Sequence, residues 1–164
     1  MTKETSGWNG DDLPLRGWEL SGVITLQDGT PLDPFYIATD IANAGTVSRP
    51  NIVPGQSISL PAGQRTPDHW FNTAAFSDPA PFQFGNAGRD TIPGPGNEVI
   101  DLSLHKRFIF AEAKSIEFRA ESFNTFNHPN LGIPGPYPDL GPFFGQILSA
   151  GQPRRIQFAT RIEF

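Results

Sequence analysis

The chain has no cysteine, a single methionine and no apolar run approaching the roughly 18 residues of a membrane helix. The first absence removes disulfides, thiolate metal sites and a cysteine nucleophile, and fits any compartment. The last removes a helical membrane span. Lysine and arginine together number 12 against 17 acids, for a net charge of −5, and no basic cluster occurs. No nucleic-acid partner is therefore expected. The amino end, MTKETSGWNGDD, lacks the apolar core of a secretory signal. By itself that points to the cytoplasm, in tension with the rest of the sequence. Hydrophobic residues make up 37%, low for a compact core, yet phenylalanine is abundant at 14. Glycine and proline number 17 each. Together they fall short of the roughly 25–30% that marks disorder, but they predict long irregular stretches.

Four segments alternate with the period of a strand. In 17–27, Trp18, Leu20, Gly22, Ile24 and Leu26 form one face, and Asp28-Gly29 gives a turn signal. In 98–110, Ile100, Leu102, Leu104 and Phe108 line one face, with Lys106 among them, and Val99, Asp101, Ser103, His105 and Arg107 line the other. In 115–126, Ile116, Phe118 and Ala120 oppose Glu117, Arg119 and Glu121. In 155–164, Ile156, Phe158, Thr160, Ile162 and Phe164 oppose Arg155, Gln157, Ala159, Arg161 and Glu163. Chain ends are usually frayed and polar, so a terminus on Phe164 reads as a docked strand.

The connections are unequal. Residues 111–114 join the second and third strands tightly, as in an antiparallel hairpin. Residues 28–97 and 127–154 are long, rich in Pro and Gly, and fall at the opposite end of the meander; both are expected to be poorly packed. Ion-forming side chains crowd the polar faces and are nearly absent from the apolar ones. Alternation alone fits a soluble sheet with a core face and a solvent face, or a membrane barrel with a lipid face and a lumen face. The loop asymmetry and the aromatic terminus favour the barrel.

A series of motifs then follows in order: GWELSGVITLQDGTPL (17–32), WFNTAAF (70–76), FGNAGRD (84–90), GPG (94–96), IDLSLHKRF (100–108), IEFRAESFNTFNHPN (116–130) and the RIQFATRIEF terminus. This series resembles the carboxy-terminal end of an Oar-like TonB-dependent outer-membrane receptor, over essentially the whole chain after Gly17. The fold this implies is all-β: an antiparallel meander of about four long strands, the last part of a large transmembrane β-barrel, with two long extracellular loops. Residues 1–16 are a polar amino segment that ends a preceding loop or turn, and 17–164 the terminal barrel portion. The 111–114 turn is then periplasmic, as such barrels prefer, and Trp18, Lys106 and Lys114 sit near that boundary.

The resemblance further implies a bacterial outer-membrane location, reached as part of a full-length exported receptor, since this chain carries no signal peptide. Plugged transporters need about 22 strands, so the amino-terminal domain, the energy-coupling box, the plug and most of the barrel are expected upstream. The chain alone is then incomplete and not transport-competent. Its expected partners are the remaining barrel and plug, outer-membrane lipid and the barrel-assembly machinery, with the TonB complex reached only through upstream segments. In such barrels the aromatic terminus is read by the assembly machinery, which assigns that role to Phe158, Thr160, Ile162 and Phe164.

No catalytic constellation emerges, and no enzyme activity, metal or cofactor is expected. His69, His105 and His128 lack ligand spacing, and Gly85–Arg89 is not a phosphate loop. Asp11 and Asp12 read as solvated. Asp101, Glu117, Arg119, Glu121 and Arg161 are expected to form a lumen-facing ion network in preference to an acid–base pair. Trp70, Phe71, Phe76, Phe82 and Phe84 are candidate loop contacts for a sugar or peptide, set against packing of the loop on itself. The alternative function is a secreted or surface β-rich carbohydrate- or protein-binding module. Self-assembly of four-strand copies into one barrel and a hydrolase are weaker readings.

Overall fold

The computed structural model describes residues 17–111 and 114–164. The amino segment, with Asp11 and Asp12, and the centre of the 111–114 link lie outside the described residues. The elements are β1 (Trp18–Gln27), β2 (Asn51–Ile52), β3 (Phe76–Ser77), β4 (Asn97–Ala111), β5 (Lys114–Phe123) and β6 (Arg155–Glu163), with short 3-10 turns at Ala62–Gln64, Thr73–Ala75 and Pro138–Phe143. They fall into two compact units.

The first unit holds the four long strands in the order β1-β4-β5-β6, an antiparallel meander. Phe108 pairs with Ile116 and Ile116 with Ile162; Leu104 pairs with Ala120 and Ala120 with Phe158. Every even-numbered position of β4, β5 and β6 in this register therefore shares one face, because a one-residue slip would reverse it. The register shifts by one residue between Ile109 and Ala111, next to the hairpin link. The third strand, expected to reach Phe126, stops at Phe123, because Asn124 takes a left-handed φ of 49°. Its amide donates to Asp101 Oδ1 at 2.8 Å and begins a turn.

The second unit is built from the two long connections, residues 26–98 and 129–152. Their expected poor packing is corrected here: they share a core. Phe71, Ala75, Phe76 and Ile92 are buried, with Leu32, Ile52, Ile58, Trp70 and Phe144 packed against them. The rings of Phe71, Phe76 and Phe144 meet edge to face, with centroids 5.2–5.9 Å apart. Such pairs add about 0.5–1.5 kcal/mol each beyond area burial. Backbone bonds stitch one connection to the other, from Trp70 N to Gly145 O (3.0 Å) and from Ile147 N to Pro67 O (2.7 Å). Pairing of β2 with β3 and a Leu32–Ile92 bridge supply the little regular structure. Phe144 lies about seventy residues beyond Phe76 in the sequence, so no local period signals this core.

Candidate functional site

The motifs of the loop unit are folding devices. In WFNTAAF, Trp70 Nε1 donates to Pro93 O at 2.8 Å, Phe71 and Ala75 fill the core, and Asn72 caps the 3-10 turn by accepting from Ala74 N at 3.1 Å. In FGNAGRD, Asn86 ties to β2 by two side-chain-to-backbone bonds: Asn86 N donates to Asn51 Oδ1, and Asn86 Oδ1 accepts from Ile52 N. A Cβ on Gly85 would collide with the carbonyls of Arg49 and Pro50, which fixes glycine there. The GPG motif has the same cause: Gly94 packs on the backbone of Thr30, and Gly29 on that of Gly94.

FNTFNHPN is likewise structural. Asn124 Oδ1 accepts from His128 N and its amide donates to His128 O. Asn127 Oδ1 accepts from Arg154 N. Asn130 accepts from Glu98 N at 2.7 Å and donates to Glu98 O at 2.9 Å, so one side chain does the work of a strand neighbour for Glu98. Short asparagine side chains suit this role because they reach nearby backbone and tolerate left-handed φ.

The expected aromatic contacts separate. Phe71 is fully buried, Phe76 is largely buried in the same core and keeps only a ring edge accessible, and Trp70 is half-buried under the Arg65 guanidinium. Phe82 and Phe84 are exposed, 75% and 65%. Phe82 also holds a φ of 63°, costly for a bulky side chain, with its amide donating to Ile41 O.

On the polar face of the sheet, Arg119 lies 3.2 Å from Glu117 and 3.9 Å from Glu121. His105 Nδ1 is 3.8 Å from Glu117, and its Nε2 shares a hydrogen bond with Ser103 Oγ at 2.7 Å. Gln157 donates to Glu121. A second cluster, anticipated in part, centres on Glu163, which pairs with Arg107 at 2.7 Å and Arg161 at 2.9 Å and accepts from Ser115. Two expected members behave differently. Asp101 accepts from the Asn124 amide and caps the turn, and Arg161 pairs along its own strand with Glu163. Among the described residues no group of three His, Asp or Glu side chains could hold a metal.

Among the described residues, the apolar face of the sheet is uncovered within its unit. Leu20, Ile24, Phe158 and Ile162 are each more than 60% exposed, and Phe164 is 96% exposed. The exception is Lys106, a buried lysine on this face. Its ammonium stands 5.3 Å from the Trp18 ring centroid and 5.0 Å from that of Phe108, both within cation–π range.

Water is a poor solvent for such a face, and contiguous exposed apolar surface of this kind marks an interaction with a membrane or a partner. β1, β5 and β6, 9 or 10 residues long, match the length of a tilted membrane-crossing strand, and β4, at 15, is long enough to cross and extend beyond. No curated protein and no solved structure matches the chain. A family model described as an outer membrane beta barrel domain matches residues 11–157. An alternating sheet whose apolar side is uncovered among the described residues of its unit, in a chain matched over most of its length, has one home: the protein belongs to the outer membrane beta barrel domain family and resides in the bacterial outer membrane.

Proposed function

We propose that the chain is the carboxy-terminal barrel portion of a TonB-dependent receptor, contributing closing strands and extracellular, substrate-facing loops. The observation that carries this reading is the ordered motif series from Gly17 to Phe164, together with the open sheet. β1 and β6 are the outer strands of the four. In lipid an unpaired strand edge is prohibitively costly, so both edges require further strands. The remaining barrel of the same receptor is the partner that supplies them, its plug is a further partner, and transport by this portion alone is not expected. β6, with Phe158, Thr160, Ile162 and Phe164, is the segment the barrel-assembly machinery would engage. The Lys106–Trp18–Phe108 cluster fits the periplasmic interface, where an amphipathic cation and aromatic rings sit at headgroup level. The soluble binding-module alternative would leave the whole apolar face in water.

Reading the DNA upstream of the Met1 codon tests this. An in-frame extension encoding an export signal, a plug and an energy-coupling box is the expected result. A stop codon close upstream, with no export signal, would overturn it.

A further inference from the structure

The loop unit contains a cleft of about 300 Å³. Pro50, Pro138 and the rings of Phe76 and Phe144 wall it, and Tyr36, Thr73, Ser77 and Asp78 line its polar side. Tyr36 is 5% exposed and donates its hydroxyl to Asp78 Oδ1 at 2.5 Å. Asp78 is exposed, and no hydrogen bond or ion pair among the described residues engages its Oδ2. Asp139 adds negative charge nearby without competing for a ligand, because its two oxygens accept from Ile37 N at 3.1 Å and Ala38 N at 2.7 Å. Burial, then the bond to Asp78 and the charges of Asp78 and Asp139, push the Tyr36 phenol above its ordinary range. Tyr36 therefore keeps its proton and remains a donor to Asp78.

The charge balance of the unit agrees. It holds eight Asp and Glu against three Arg and no Lys, a balance of −5, which equals the net charge of the entire chain. None of the three arginines lines the cleft. Arg49 pairs with Asp33, and Arg65 lies over Trp70. An anion would enter a negative field and meet a carboxylate with no cation to offset it. A neutral sugar would find the Thr73 and Ser77 hydroxyls, but it gains nothing from the negative field. A cation finds a free carboxylate oxygen and aromatic surface together, both of which attract positive charge. The volume lies at the low end of ligand sites, about 300–1,000 Å³, so it suits one headgroup and not a long oligomer.

We propose that this cleft binds a compact organic cation, an alkylammonium or guanidinium group, with Asp78 Oδ2 as counter-ion and Phe76 and Phe144 as walls. The proposal rests on the geometry of the loop unit and not on the receptor reading, so either can fail alone.

The chain has two tyrosines. Ring-¹³C-tyrosine labelling of the full chain carrying Tyr137→Phe, in detergent micelles, isolates the Tyr36 signal. Titration with agmatine should move that signal to saturation, with a Kd of about 0.1–1 mM. Asp78→Asn should weaken binding about tenfold, added salt should weaken it progressively, and glucose should produce no shift. Should Asp78→Asn send the Tyr36 signal to its random-coil position, Phe144→Leu replaces it: weaker agmatine binding supports the proposal and unchanged affinity overturns it. Absence of saturable movement, or an equal response to glucose, also overturns it.

Discussion

At the scale of single residues, the loop unit depends on carboxylates that bind backbone. Asp33 accepts from Asp90 N at 2.6 Å and pairs with Arg49 at 3.0 Å. The Asp90 amide bond is the main cause that holds its carboxyl below the ordinary 3.8; burial opposes this, and Arg49 and Arg89 add to it. Asp40 is lowered too: burial opposes, and the amides of Gly45, Ala44 and Asn43 with the Ser48 hydroxyl prevail. A carboxyl lowered in the folded state contributes stability that is complete above its unfolded value and is lost as pH falls through its folded value. Exchange protection of the Asp90 amide should therefore hold from neutral pH down to about 4 and decline below it. Asp33→Asn should remove that pH dependence, as read by amide hydrogen exchange.

At the scale of elements, the two faces of one strand carry unequal weight. Leu104 lies on the apolar face of β4, opposite Ala120. Arginine there would place a charge against lipid, at about 2–4 kcal/mol near the bilayer midplane. On the other face, Arg119 makes partly exposed ion pairs with Glu117 and Glu121, each worth about 0.2–1 kcal/mol. Leu104→Arg should sharply reduce the folded, heat-modifiable fraction on electrophoresis of outer membranes, whereas Arg119→Ala should leave it nearly unchanged. Equal losses would mean that the apolar face is not the lipid face.

At the scale of the whole molecule, the sheet and the loop unit have separate supports. The sheet relies on strand pairing and its apolar face, and the loop unit on a core around Phe71, which is 1% exposed. Phe71→Ala removes a ring that touches Phe76 and Phe144, at about 3–5 kcal/mol. Protease added to intact cells should then cut the loops faster, while the heat-modifiable mobility of the sheet persists. Loss of both together would join the two units into one cooperative structure.

The sequence by itself determined the four long strands, their faces and the order of the meander. A period of two is a local property, and each residue reports its face through its own polarity. The glycines of FGNAGRD and GPG and the asparagines of FNTFNHPN were visible as motifs, but their purpose was not. Only the tertiary structure decided that Asp101 caps a turn in place of joining the ion network, and that Phe71 and Phe76 are core while Phe82 and Phe84 face outward. It alone brought Tyr36 to Asp78, 42 residues away. Irregular chain has no repeat from which to read burial; its side chains acquire an inside and an outside only when distant segments close on one another.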